Sequence, residues 1–204
     1  MADAAFWDQR FEGAAYAYGE APNAFLASLA GTFARGQRAL VPGDGEGRNG
    51  VFLAELGLVV ETLDLSAEGV AKARRLSEAR GVRIDARQAD VLGWDWPVTA
   101  FDLIVLLYLH LGETERRFVH ARGLAALRPG GRIVLEAFTP AQLERQQAGA
   151  RGGPRDAALL YRAEDLRADF AKARIDMLQE VETDLREGTL HVGPSAVVRM
   201  VASV

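Results

Sequence analysis

The sequence predicts an α/β fold: a three-layer sandwich in which helices cover both faces of a seven-stranded, mostly parallel sheet that ends in an antiparallel hairpin. Three observations predict it. Apolar runs of strand length alternate with helix-like segments along most of the chain, which is the pattern of a parallel sheet. A glycine-rich turn, PGDGEGRNG, joins the first such run to the helix-like segment after it. Toward the C-terminus two long extended runs meet at Glu187-Gly188, which reads as a hairpin joined by a tight turn.

The elements follow in order. The aromatic-rich segment Phe6–Tyr18 is placed across the site, and PNAFLASLAGTF, Pro22–Phe33, carries the apolar stripe of a helix. The strands are expected at Arg38–Pro42, Leu58–Asp64, Val82–Gln88, Phe101–Leu107 and Gly131–Phe138. The fourth is nearly continuous in large apolar residues, as a central strand covered on both faces should be. Helices are expected at Arg48–Glu55, at Ala67–Arg80 with Ser66 as cap and Gly81 as stop, and at Thr114–Leu127 with Thr114 as cap and Pro129-Gly130 as stop. Asp176–Arg186 and Leu190–Ser203 form the hairpin.

In the glycine-rich turn, Gly43, Gly45, Gly47 and Gly50 stand where a strand becomes a helix. Glycine there admits positive φ and lets a ligand approach the backbone. Gly45, Gly47 and Gly50 also satisfy GxGxxG, with Asp64 following Gly45 by 19 residues, a spacing that suits the ribose of a nicotinamide cofactor. The turn alone leaves the cofactor class open. Three features weigh against the nicotinamide class: no tyrosine has a lysine four residues on, no second domain is evident, and the terminal hairpin is foreign to a simple parallel dinucleotide fold.

With 204 residues, 49% of them hydrophobic, the chain suffices for one sizeable core. A single domain, 1–204, is expected: an N-terminal lid or helical segment (1–36), a cofactor-binding core (37–138), and a substrate-side insertion with the terminal hairpin (139–204). The absence of cysteine excludes disulfides, thiolate zinc sites and a cysteine nucleophile, and leaves His110, His120 and His191 as the imidazoles. No metal is expected. MADAAFWDQR lacks an apolar core, so it does not read as a secretory signal. The most apolar stretch, Phe101–Leu111, contains Asp102 and His110 and is too short for a membrane span. A cytoplasmic protein without membrane contact is expected, and the net charge of -4 argues against a nucleic-acid partner. Oligomeric state is not legible.

The segments WDQRF, YGEAPNAFL, GDGEGRNGVFLAELG, LDLS, ADV, FDLIVLLYLHL, LRPGGRIVLEAF and the tail after FTPAQL span nearly the whole chain. In order and spacing they resemble class I S-adenosylmethionine-dependent methyltransferases of the tellurite-resistance and thiopurine methyltransferase-like group. The resemblance implies a Rossmann-like sheet, S-adenosyl-L-methionine as cofactor, S-adenosyl-L-homocysteine as product, and a small-molecule acceptor: a thiol, a chalcogen oxyanion, or a nitrogen or oxygen nucleophile of a metabolite. It implies that Gly43, Asp44, Gly45, Glu46 and Gly47 pass beneath the methionine and ribose, with Asn49 beside them. Asp64, flanked by Leu65 and Ser66, would hold both ribose hydroxyls. Asp90 would take the adenine amino group near the Val91 amide, and Leu107 would line the site. One departure stands out: where the family commonly has an acid two residues before the first glycine, this chain has Val41. Asp44 or Glu46 would have to anchor the cofactor's amino end instead. An NAD(P)-dependent oxidoreductase and a noncatalytic cofactor-binding protein remain as rival readings.

On the acceptor side, His110 follows the fourth strand, where such a sheet opens its crevice, and is the expected proton acceptor. His120 falls in a charged helix and is expected in solvent, and His191 is given a structural role. Trp7, Phe11, Tyr16 and Tyr18 form an expected aromatic lid, with Arg10 meeting the cofactor carboxylate or an anionic substrate. Gln146–Tyr161 is either a flap over the substrate or a disordered surface loop.

Overall fold

A computed structural model describes residues 3–204; Met1 and Ala2, the head of the expected 1–36 segment, lie outside the described residues. The strands are β1 (Arg38–Pro42), β2 (Val59–Asp64), β3 (Ile84–Gln88), β4 (Phe101–Leu107), β5 (Leu127–Phe138), β6 (Arg174–Glu187) and β7 (His191–Ser203). They form one seven-stranded sheet in the order β3-β2-β1-β4-β5-β7-β6. The first five are parallel, and β7 runs antiparallel to both β5 and β6. Strand order reverses between β1 and β4, so the carboxyl ends of those two strands open a crevice.

The two-residue period of the strands sorts their side chains onto two faces. Leu40, Leu63, Ile104, Leu106 and Ile133 pack with Val119 of α5 (Glu113–Ala126) and with Leu166 and Phe170 of α7 (Ala163–Asp169) and its cap. Ala39, Val41, Val60, Leu103 and Val105 pack with Phe25 and Leu26 of α2 (Ala24–Ser28) and Leu53 of α3 (Arg48–Glu55). Each fully buried large aliphatic side chain contributes about 1.5–3 kcal/mol. The expected three layers are thus present.

Ser66 caps α4 (Ala67–Ala79) as expected, its Oγ accepting the Gly69 amide at 3.0 Å. Elsewhere the expected boundaries shift for identifiable reasons. The Pro22–Phe33 helix is cut to α2 and a single 3-10 turn, Ala30–Thr32. The Ser28 and Thr32 hydroxyls donate back to the Phe25 and Leu29 carbonyls at 2.6 and 2.8 Å, a competition that tightens a helix. Gly112, not Thr114, caps α5. That helix ends at Ala126 because Leu127 turns extended to pair with Phe101, and Pro129-Gly130 form a bulge inside β5 instead of the helix stop. The hairpin turns through Gly188–Leu190, because Glu187 still pairs with His191. The segment 146–161 is an ordered loop. Gln146 Nε2 holds the Gly152 and Gly153 carbonyls at 2.7 and 3.0 Å, and Arg151 bridges to Val192 of β7. No described helix is long and apolar enough to cross a membrane.

Candidate active site

The turn after β1 is built so that backbone, not side chain, faces the crevice. Gly47 caps α3 at φ +90°, and a Cβ on it would lie 2.5 Å from that of Ala73 in α4. Glycine is therefore required there on both conformational and steric grounds. Asp64 at the end of β2 ties the turn to the sheet: Oδ2 accepts the Gly45 amide at 2.7 Å and Oδ1 the Ser66 amide at 2.9 Å. Burial raises its carboxyl above the ordinary 3.8 against these hydrogen bonds.

Asp44 is the unsettled group of the turn. Its Oδ2 accepts the Gly50 amide at 3.0 Å, while Oδ1 is buried without a partner. Burial first, with the neighbouring Asp64 adding to it, pushes the Asp44 carboxyl up to about 8. Glu46, the other acid of the turn, is already answered: Lys72 of α4 reaches its Oε1 at 2.8 Å, and both side chains are buried. Of the two acids available to replace the one missing at Val41, Asp44 is the one with an oxygen to spare. Val41 itself is 1% exposed among Phe25, Leu26 and Leu53, an apolar setting that would leave a carboxylate unpaired.

The N-terminal segment crosses this turn. In α1 (Ala4–Phe11), Asp8 accepts the Ser66 hydroxyl at 2.6 Å and so docks the helix on the start of α4. Phe11 covers Gly45 and Gly69. The strap 12–22 then runs from α4 to the hairpin tip: Lys72 Nζ donates to the Ala15 carbonyl at 2.6 Å, Tyr16 OH to the Lys72 carbonyl at 3.2 Å, and the Thr189 amide to the Ala17 carbonyl at 3.0 Å. Trp7 stacks on Phe11 with ring centres 5.7 Å apart. The Arg10 guanidinium lies over the Phe6 and Trp7 rings and donates to Tyr18 OH at 3.2 Å.

Beneath the strap, at the carboxyl ends of β4 and β5, polar side chains from distant parts of the chain meet. Asn23 Nδ2 donates to Glu136 Oε1 at 2.6 Å and to Glu187 Oε1 at 3.3 Å. Tyr108 OH also donates to Glu136 Oε1 at 2.6 Å, and Arg199 pairs with the other oxygen. Arg48 reaches Glu187 Oε2 at 2.7 Å, and His191 Nδ1 the same oxygen at 3.2 Å. Asn49 spends its amide oxygen on the Asn23 amide at 2.9 Å, which clamps the foot of the strap to α3. Tyr108 holds φ +53°, a conformation costly for a bulky residue and typical of strained functional positions.

The structure brings Trp7, Gly43, Asp44, Gly45, Glu46, Gly47, Asp64 and Ser66 together around one turn, with Arg10 alongside. Leu65 follows Asp64, and Leu107 ends β4, 6% exposed, in the central strand. Asp90 is exposed, with Oδ1 accepting the Leu92 amide at 2.9 Å, and Val91 is buried beside it. His110 is committed on both nitrogens: Nδ1 lies 2.7 Å from the Leu159 carbonyl, and Nε2 accepts the Phe138 amide at 3.3 Å. Burial lowers its pKa to about 4, so in this geometry it is a neutral strut between β5 and the 3-10 turn Ala157–Leu159. His120, expected in solvent, is instead buried, with Nδ1 2.8 Å from Asp169 Oδ2. Sequence reasoning missed Asp8, Asn23, Lys72, Tyr108, Glu136 and Glu187. Only Glu136 carried a signal, as a lone acid within the apolar strand GRIVLEAF.

The described residues fit a cationic amino-acid sulfonium nucleoside: a glycine cradle, a buried acid with a spare oxygen, and a second acid at the end of β2. Residues 39–131 match a family model described as a methyltransferase domain. The chain is 38% identical over 112 residues to ribosomal RNA small subunit methyltransferase C of Chromohalobacter salexigens, an alignment covering 52% of this chain and 33% of that protein. It therefore spans about a third of that relative's length. Among solved structures it is similar to the N-methyltransferase NodS of Bradyrhizobium japonicum in complex with S-adenosyl-L-homocysteine, at TM-score 0.72 and 16% identity over 98% of this chain and 97% of that one. It is also similar to TehB of Haemophilus influenzae, at TM-score 0.71 and 14% identity over 98% and 66%. The antiparallel β7 matches the sheet of these methyltransferase structures and not that of a simple parallel dinucleotide fold. Residues 39–131 are thus similar to a methyltransferase domain, and the chain as a whole has the fold of the class I S-adenosylmethionine-dependent methyltransferases.

Proposed function

We propose that the protein transfers the methyl group of S-adenosylmethionine to a small-molecule acceptor at the carboxyl edge of β4 and β5. The strap is the observation that carries the small-acceptor reading. It joins α4 to the hairpin tip across the turn, so a macromolecular acceptor would have to displace this cover. The match to the ribosomal RNA enzyme covers only 33% of that protein and lends no acceptor to this one. A cytoplasmic setting belongs to the same proposal, as does the absence of a nucleic-acid partner, which the net charge of -4 supports.

When bound, the cofactor supplies an electrophilic methyl group on a positively charged sulfur. The residues of the chain hold and orient it. Asp64 would take the ribose hydroxyls, since each carboxylate oxygen keeps a lone pair beyond the one given to Gly45 or Ser66. Asp44 would take the charged amino end, and Asp90 with the Val91 amide the adenine. Trp7 and Tyr18 would offer ring faces to a cation, with Phe11 packed beneath Trp7 on the glycine turn, and the strap excludes water. Alignment of donor and acceptor at about 3–3.5 Å then does most of the catalytic work. Calorimetry with S-adenosylmethionine, S-adenosylhomocysteine and NADH tests the reading. The two sulfur nucleosides are expected to bind and NADH to fail, and tight binding of NADH alone would overturn it.

A further inference from the structure

The three histidines differ in what their rings leave available. His110 has both nitrogens engaged by the backbone. His120 is buried between α5 and α7, shared with Asp169 and packed against Phe170. His191, at the head of β7, has Nδ1 on Glu187 Oε2 at 3.2 Å, and its Nε2 has no hydrogen-bond partner among the described residues. A carboxylate only accepts, so Nδ1 carries the proton and Nε2 a lone pair. Glu187 cannot swing away, because Arg48 holds it at 2.7 Å and Asn23 at 3.3 Å. A base oriented by a third, fixed group is the arrangement that activates nucleophiles in unrelated enzymes.

The surroundings point to one kind of nucleophile. The His191 ring is flanked by Tyr18 and Tyr108, each with ring centres 4.5 Å away, and by Phe138 at 5.2 Å. The two buried acids nearby are each answered by an arginine, Glu187 by Arg48 and Glu136 by Arg199. No negative charge is left over to welcome an ammonium ion. Oxyanions, and thiols acidic enough to be thiolates at pH 7, reach the site already deprotonated and need no base. We propose that His191, held by Glu187, takes the proton of the acceptor, and that the acceptor is an uncharged, planar molecule methylated on a hydroxyl oxygen. This rests on the methyl-transfer reading above.

The step balances. The hydroxyl oxygen forms the new bond to the methyl carbon while the carbon–sulfur bond breaks, its electron pair neutralising the sulfonium. The hydroxyl proton passes to His191 Nε2, and the imidazolium, facing Glu187, later returns it to water. Burial keeps the His191 pKa below its ordinary value, with Glu187 and Glu136 opposing and Arg48 assisting. Tyr18, Tyr108 and His110 are the other titratable groups facing or near the ring. The base is therefore neutral, and able to accept, at pH 7.

The test uses the full chain with S-adenosylmethionine, a series of para-substituted phenols and one thiophenol. His191→Gln should lower kcat for phenol by about 100-fold or more, the range of general-base catalysis, with KM nearly unchanged. The loss should shrink as the phenol becomes more acidic and vanish for the thiophenol. Glu187→Gln should give a smaller loss and lower the His191 pKa, read by NMR titration without any cofactor; this second variant decides the matter if His191→Gln does not fold. A folded His191→Gln protein that methylates phenols at the wild-type rate, a wild type that accepts only the thiophenol, or a His191 titration indifferent to Glu187→Gln each overturns the proposal. Failure of the wild type to bind S-adenosylmethionine would instead remove the methyl-transfer reading, with the coupling of His191 to Glu187 still measured by the titration.

Discussion

Replacing Asp44 by asparagine should make the protein more stable at pH 8 and almost no different at pH 4. The carboxyl is 7% exposed, accepts one amide bond from Gly50 and leaves Oδ1 unpartnered. In the unfolded chain it titrates at 3.8, in the folded protein at about 8. Below pH 3.8 it is protonated in both states and costs nothing. As pH rises from there the unfolded chain releases the proton and the folded protein keeps it, so stability falls, and the fall ends once pH passes about 8. At about 1.4 kcal/mol per pH unit, the gap corresponds to a loss of at most about 6 kcal/mol. An asparagine side chain keeps an acceptor for the Gly50 amide and cannot ionise, so Asp44→Asn should abolish this decline. Urea unfolding of both proteins at pH 4, 5, 6, 7, 8 and 9 measures it. Parallel profiles for the two proteins would refute the reasoning. The same carboxyl should release a proton when the cationic cofactor arrives, which calorimetry in buffers of different ionisation enthalpy at pH 7 would register, and Asp44→Asn should abolish that release.

Asp64→Ala should weaken S-adenosylmethionine binding by about 1.5–3 kcal/mol, the worth of charge-assisted hydrogen bonds. It should also lower the melting temperature, because the Gly45 and Ser66 amides lose their acceptor; an unchanged affinity by calorimetry would take Asp64 out of the site. His110 has a depressed pKa, 6.5 unfolded and about 4 folded, so its contribution is present above pH 6.5 and is lost as pH falls toward 4, by at most about 3 kcal/mol. His110→Gln should therefore unfold with a shallower acid limb, and a limb as steep as that of the wild type would contradict the assignment.

The legible parts of this protein were those written in neighbouring residues. FDLIVLL became β4 without a change of boundary, Arg48–Glu55 became α3, and Ser66 capped α4. Strand burial, capping and positive φ at glycine depend on a few adjacent side chains, so periodicity and residue type sufficed. Pro22–Phe33 and Pro129 misled because hydroxyl back-bonding and the pairing of Leu127 with Phe101 outweighed local propensity.

By itself, then, the sequence determined the α/β layering, the glycine turn and the acid at the end of β2. Only the tertiary structure decided what each polar group does. Asn23 stands 113 residues from its partner Glu136 and 164 from its partner Glu187, and nothing in the intervening chain announces that they meet. Lys72 looks like one more charge on a helix until the fold buries it against Glu46. His110 has both ring nitrogens engaged while His191 has one, for the same reason. The availability of a ring nitrogen depends on which distant carbonyl, amide or carboxylate the completed sheet brings within about 3.5 Å, and that distance exists only in three dimensions.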